Sequence, residues 1–342
     1  MTRTARSCWI TAPGRAELRS SAIATPGPGQ CLVQTRYSGI SRGTERLVFE
    51  GRVPAGQQAS MAAPFQEGQF PAPVKYGYIN VGRVLEGPDG WVGRNVFCLY
   101  PHQDLYVVDA TALTPLPDDL PAGRAVLTAY METAVTAVWD AAPLVGERIV
   151  VIGAGVLGCL IAWLCARTAA SAVTLVDIDP DKARLAGCLD LDFSLAGQLE
   201  AEADLVIHAS GHPAGLEQAL GLAGVEARII ETSWYGEGLV PLPLGAGFHS
   251  RRLTLRSSQV SRIPPLQAPR WSHGRRLQLA MQLLTQPQFD HLIGSESDFA
   301  DLPATLASLA RGDDAGLCHR VRYPAVPGTG KSNRNNTSSP SR

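Results

Sequence analysis

Residues 148–158 read Arg148-Ile149-Val150-Val151-Ile152-Gly153-Ala154-Gly155-Val156-Leu157-Gly158. The first five have the length and β-branched composition of a buried strand. The glycines have the spacing G-x-G-x-x-G, and a helical pattern runs on to residue 167. Strand, glycine turn and helix in that order form the context in which this motif cradles a dinucleotide pyrophosphate. Gly153 permits the tight turn, Gly155 lets backbone approach phosphate, and Gly158 lets helix pack closely on strand. Val156 and Leu157 open the helix, whose free N–H groups and positive dipole end face the phosphates.

The next apolar run, residues 172–177, ends in Asp177, nineteen residues after Gly158. A carboxylate there accepts hydrogen bonds from a ribose diol and repels an additional phosphate. Ile178 follows, where a small or basic residue would suit NADP. The pattern predicts NAD(H). Ala209-Ser210-Gly211 closes a later strand and is expected by the adenosine ribose. Thr232 and Ser233 close the one after it, near the nicotinamide. Read alone, each of these two segments is an ordinary strand-end loop.

Outward from this centre, strands at 203–210, 227–233 and 253–258 alternate with helices at 156–167 and 181–189. Such alternation implies βαβ units and a parallel sheet. Residues 1–130 differ: β-type runs at 31–37, 81–85, 95–99 and 105–108 lie between Gly- and Pro-rich turns, suiting a β-rich, partly barrel-like domain. Residues 122–141 turn helical, 272–286 and 302–309 read as amphipathic helices, and 319–323 is a strand returning to the first domain. The expected organisation is a catalytic domain of residues 1–140 plus 262–326 and a cofactor domain of 141–261. A polar tail at 327–342 is expected to be disordered.

Thirty basic and 31 acidic side chains leave a net charge of −1, so nothing points to nucleic acid or an anionic membrane. The N-terminus has no apolar signal region. Seven cysteines, with no Cys-x-x-Cys pair, read as reduced, packed thiols of a cytoplasmic protein.

Three landmarks stand in a known order. Pro26-Gly27-Pro28-Gly29-Gln30 matches P-G-P-G-E-V. Tyr37-Ser38-Gly39-Ile40-Ser41-Arg42-Gly43-Thr44-Glu45 matches S-G-I-C-G-T-D. Tyr76-Gly77-Tyr78-Ile79-Asn80-Val81-Gly82 matches L-G-H-E-x-x-G. With the glycine motif, they resemble the zinc-type alcohol dehydrogenase-like proteins of the medium-chain dehydrogenase/reductase superfamily, over residues 8–323. The wording S-G-I-S-R-G-T-E is similar to a divergent branch that includes bacteriochlorophyllide dehydrogenase-like proteins. The resemblance implies an α/β fold, with a GroES-like catalytic domain and a doubly wound Rossmann domain. It also implies a homodimer paired along the sixth Rossmann strand, residues 253–257, and an oxidoreductase acting on a small molecule. The reaction would be alcohol–carbonyl or conjugated-double-bond hydride exchange. The alternative is an NAD(H)-binding pseudoenzyme or redox sensor without turnover.

The zinc positions depart from the pattern. Ser41 replaces the cysteine, Tyr78 replaces the histidine, and only Glu132 keeps a ligand-type side chain. Catalytic zinc needs three good protein donors. The expectation is therefore no zinc. In its place Tyr78 is the lead acid, with Lys75 lowering its pKa, and His102 and Ser41 are further candidates. The plainer readings are a pocket-lining aromatic for Tyr78, a surface cation for Lys75 and a turn residue for His102. Glu132, on an apolar stretch, is expected to pair with Arg42 or Lys75 across the vacated metal position, or to lie solvated at a helix end. A basic cluster, Phe248-His249-Ser250-Arg251-Arg252, with Arg262, Arg270, His273, Arg275 and Arg276, favours an anionic substrate slightly, unless it is a solvated turn.

Overall fold

The computed structural model describes residues 3–168, 171–312 and 317–324. The first part of the chain builds two antiparallel sheets. Strands β1 (Arg3–Ala12) and β2 (Arg15–Ile23) form a hairpin, extended by the short pieces β4 (Glu67–Gly68) and β5 (Val74–Lys75) in the order β2-β1-β5-β4. The second sheet centres on β3 (Gln30–Ile40), which pairs with β6 (Asn80–Glu86) and β8 (Leu105–Asp109). β7 (Asn95–Cys98) and β9 (Thr114–Pro115) continue it beyond β6. Helix α1 (Arg42–Phe49) follows β3 directly, with Ser41 at its N-cap position.

Helix α2 (Thr128–Ala141) leads into the second part. Here β10 (Arg148–Ile152), β11 (Ala172–Asp177), β12 (Asp192–Leu195), β13 (Ala203–His208), β14 (Ala223–Glu231) and β15 (Thr254–Ser257) form one parallel sheet. Its order is β12-β11-β10-β13-β14-β15. The four apolar residues of β10 are buried, as expected of a central strand covered on both faces. Helix α3 (Val156–Cys165) buries eight of its ten residues against this sheet and α2. Helices α4 (Lys182–Cys188) and α5 (Pro213–Leu222) supply the crossovers from β11 to β12 and from β13 to β14.

The chain then returns through α6 (His273–Leu283), β16 (Ile293–Asp298), α7 (Leu302–Arg311) and β17 (Cys318–Arg322). β17 pairs antiparallel with the end of β3, completing a seven-stranded sheet of order β16-β17-β3-β6-β7-β9, with β8 off this path on β3. Ser272 caps α6, its side chain accepting the Arg275 N–H at 3.2 Å. The mixed α/β architecture expected from the sequence is present: antiparallel sheets of GroES-like kind beside a Rossmann-like parallel sheet. All seven cysteines are free thiols, and only Cys188 is exposed. No described helix is long and apolar enough to cross a membrane. The polar tail at 327–342 lies outside the described residues.

Candidate active site

The strand order reverses at β10. From there the chain goes to β11 and β12 on one flank, then crosses to β13 on the other. A crevice outside the carboxyl ends of two such strands is where open α/β sheets bind ligands. The glycine turn sits in it. Gly153 has φ +106°, a conformation suited to glycine, and a Cβ there would lie 2.7 Å from the Ser210 backbone. A Cβ on Gly158 would lie 1.7 Å from the Gly153 carbonyl oxygen. Both glycines are thus fixed by backbone contacts. Gly155 occupies the N-cap of α3, and no side chain caps the helix. The first N–H groups there, including those of Val156 and Leu157, lack intrahelical partners.

Asp177 ends β11 beside this turn. Its Oδ2 accepts the Ala154 N–H at 2.6 Å and its Oδ1 the Asp179 N–H at 3.0 Å. A carboxylate has about four acceptor sites, so each oxygen can also take a ribose hydroxyl. Ile178 beside it is 84% exposed. Ala209, Ser210 and Gly211 lie on the opposite flank of the turn, beyond β13. Thr232 and Ser233 follow β14 and are tied to that flank: Thr232 Oγ1 donates to the His208 carbonyl at 2.7 Å, and Gly211 N–H donates to Ser233 Oγ at 3.1 Å. The turn, the open helix end and the carboxylate fit a dinucleotide.

The second cluster lies around the end of β3. The Tyr78 hydroxyl donates to Ser41 Oγ at 2.5 Å. The two residues that replace the expected zinc donors are thus hydrogen-bonded to each other. Burial pushes the Tyr78 phenol up to about 12, against the lowering effect of bonds to Ser41 and Thr44, while the Glu45 charge raises it further. Tyr78 therefore keeps its proton near neutral pH. Lys75 does not activate it: the Lys75 ammonium is buried and bonded to Glu67 and, at 2.8 Å, to Gln103 Oε1.

His102 is buried, with Nε2 2.8 Å from Glu45 Oε2 and Nδ1 2.8 Å from Ser38 Oγ. Glu45 also accepts the Ser41 N–H at 2.7 Å. His102 thus supports the Ser41–Tyr78 pair through Glu45. Gly77 has φ +125°, and a Cβ there would meet the His102 ring at 2.9 Å, so this glycine makes room for the imidazole. Sequence reasoning misses Glu45, although it fills the acidic last position of the S-G-I-C-G-T-D landmark and its signal is there.

Glu132 points elsewhere. It pairs with neither Arg42 nor Lys75 but with Arg276 of α6, whose Nε and Nη2 donate to Oε1 at 3.1 and 2.9 Å. Arg276 Nη1 donates to Thr136 Oγ1 at 3.0 Å. Both partners are buried. Desolvation holds the Glu132 carboxyl above its ordinary range, although Arg276 pulls the other way. The basic cluster is largely used internally. Arg251 donates to the Ala223 carbonyl at 2.8 Å, Arg252 pairs with Glu226, and Arg275 stacks on Trp271.

The donor set does not fit zinc. Serine and tyrosine hydroxyls would both have to ionise against high pKa values, and Glu132 is bound to Arg276. No protein-family model and no curated protein matches the sequence. Solved structures do match the fold. An L-idonate 5-dehydrogenase from Escherichia coli is 16% identical, with a TM-score of 0.76 over 94% of this chain and 99% of that one. A 2R,3R-butanediol dehydrogenase from Bacillus subtilis is 16% identical, with a TM-score of 0.74 over 93% and 99%. A short chain alcohol dehydrogenase from E. coli CFT073, solved with NADH, is 16% identical, with a TM-score of 0.72 over 93% and 99%.

Proposed function

We propose that this chain, which has the fold of the zinc-type medium-chain dehydrogenase/reductase proteins, is a zinc-independent, NAD(H)-dependent oxidoreductase. It transfers hydride to or from a small-molecule alcohol or carbonyl, or a conjugated double bond. The observation that carries this reading is the glycine turn, held between Asp177 and Ser210 at the point where the strand order reverses. The solved dehydrogenases of the same fold add support, one of them holding NADH.

Gly153, Gly155, Gly158 and the first N–H groups of α3 would hold the pyrophosphate, and Asp177 the adenosine ribose. When bound, the nicotinamide supplies the hydride acceptor or donor. The chain supplies the proton. Tyr78 donates to Ser41, which leaves the Ser41 O–H as a donor for a substrate oxygen. As negative charge builds on that oxygen, Ser41 delivers its proton and takes one from Tyr78. The raised Tyr78 pKa keeps the phenol protonated near neutral pH, so it has a proton to give in the reducing direction.

The test is NADH-dependent reduction across a panel of carbonyl and enone compounds, with zinc measured in the same preparation. Turnover is expected with well under one zinc per chain. Tyr78→Phe is expected to lower kcat about 100-fold or more, within the usual range for general acid catalysis. One tightly held zinc per chain would overturn the metal-free reading, and full activity in Tyr78→Phe the proton assignment. Tight NADH binding with no turnover on any compound would favour the pseudoenzyme.

Cofactor choice has its own measurement. Asp177 would face a 2′-phosphate, so NADH should bind at least about tenfold tighter than NADPH, a difference of about 1.4 kcal/mol. Equal affinities in a fluorescence titration would remove that role from Asp177.

Two further readings belong here. β15 is the free edge of the parallel sheet, and unpaired edges invite pairing, which supports a homodimer. Light scattering at micromolar concentration should give twice the chain mass; a monomer mass would refute it. Seven free thiols support a cytoplasmic protein. An anionic substrate keeps little support, because Arg251, Arg252, Arg275 and Arg276 all have partners within the chain.

A further inference from the structure

His208 and Glu231 are the last residues of β13 and β14 and are register partners in the parallel sheet. The His208 side chain is fully buried. Its Nδ1 lies 2.8 Å from Glu231 Oε2, and its Nε2 lies 2.6 Å from Ser210 Oγ. Glu231 also accepts the Ser233 N–H at 2.6 Å and the Tyr235 hydroxyl at 3.0 Å. Burial disfavours its charge, but the bonds from His208 and Ser233 outweigh that and hold the carboxyl below its ordinary range.

The bond to Glu231 fixes one of the two proton positions on the imidazole. A carboxylate accepts only, so His208 Nδ1 carries hydrogen toward Glu231. In the neutral imidazole, Nε2 is then an acceptor, and the Ser210 hydroxyl donates to it. Ser210 Oγ also accepts the His212 N–H at 3.2 Å. One lone pair of Ser210 remains, on an exposed residue whose backbone packs against Gly153. Helix α5 closes the back of this arrangement. A Cβ on Gly215 would lie 2.5 Å from Ser210 Oγ and 2.6 Å from His208 Nε2, so the helix approaches closely because that residue is glycine.

The order carboxylate, imidazole, hydroxyl resembles the constellation that activates a serine nucleophile. The neighbouring N–H groups argue against that chemistry. Gly211 N–H is given to Ser233 and His212 N–H to Ser210 itself, so neither can stabilise an oxyanion. A hydroxyl locked as an acceptor at the crevice wall instead suits an O–H or N–H donor on a bound molecule.

We infer that Glu231 and His208 are positioning residues that orient Ser210 as a hydrogen-bond acceptor for the nicotinamide riboside half of the dinucleotide. This rests on the dinucleotide reading proposed above. It concerns the flank of the glycine turn opposite Asp177, so it moves Ser210 from the adenosine ribose, where the sequence put it, to the other half of the ligand.

The experiment compares NADH with ADP, which lacks the nicotinamide riboside, by titration of the full chain. Ser210→Ala removes the acceptor at an exposed position. His208→Asn keeps a donor to Glu231 but is too short for Ser210. Each is expected to weaken NADH about fivefold to tenfold, the size of one hydrogen bond, and to leave ADP within twofold. The double variant should lose no more than either single one, since the two side chains act as a unit. His208→Gln places an amide oxygen near the position of Nε2 and should restore most of the NADH affinity. Unchanged NADH affinity in Ser210→Ala, additive losses, or equal losses for NADH and ADP would overturn the inference and leave the dinucleotide site standing. A wild-type chain that binds neither ligand would overturn both.

Discussion

Gly158→Ala is expected to weaken NADH binding by about 100-fold or more and to lower the melting temperature. The added Cβ would stand 1.7 Å from the Gly153 carbonyl oxygen. No side-chain rotation can relieve a contact between a Cβ and a backbone oxygen. Either α3 moves away from β10 or the turn opens. α3 has little freedom to move, because Cys159, Leu160, Ile161 and Ala162 behind Gly158 are fully buried. Overpacking of this kind costs about 3 kcal/mol at its upper ordinary range, which converts to about 100-fold if it falls on the binding conformation. Gly187→Ala serves as the control. Gly187 lies in α4, and a methyl group added there would meet nothing within 4 Å, so alanine should stabilise the helix by up to about 1 kcal/mol. Fluorescence titration and thermal melts of the two variants decide the matter. NADH affinity within threefold of wild type in Gly158→Ala would mean that the turn does not hold the dinucleotide.

The parallel-sheet half was legible because its strands are buried on both faces. Such strands write themselves as short β-branched runs, and the glycine turn marks one carboxyl end. The N-terminal hairpin and β16 were not legible. β2 is mostly exposed and β16 reads Ile-Gly-Ser-Glu-Ser-Asp, so neither carries an apolar alternation. β16 is a strand because β17 offers it a parallel partner at the sheet edge. The candidate site divides in the same way. Ser41 and Tyr78 were found from motif positions, and the fold joins them. The partners of Lys75 and Glu132 depend on tertiary packing that local sequence does not encode. Arg276 lies 144 positions from Glu132, and Gln103 became relevant only once β1 and the segment around His102 were paired.

Glu132→Ala should destabilise the chain by about 3–5 kcal/mol in chemical denaturation. Removing one partner of a buried ion pair leaves the other charge uncompensated, and Arg276 is 1% exposed. The pair joins α2 to α6, so the loss is expected to be global. Replacing both residues separates specificity from stability. Glu132→Leu with Arg276→Met removes both charges and both desolvation costs, and it should be neutral or stabilising relative to wild type. The pH dependence gives a further check. Desolvation raises the folded-state pKa of Glu132 above its unfolded value. Between the two values the folded state binds more protons than the unfolded state, so this group's contribution is fully present below the unfolded pKa and is lost as pH rises through the folded one. Relative to wild type, the double variant should therefore gain ground from the ordinary carboxylate range upward, and the gap should narrow again in acid. A double variant as damaged as Glu132→Ala at neutral pH would show that the Arg276 fork to Glu132 and Thr136 holds α6 in place by its hydrogen bonds rather than by the packing around it.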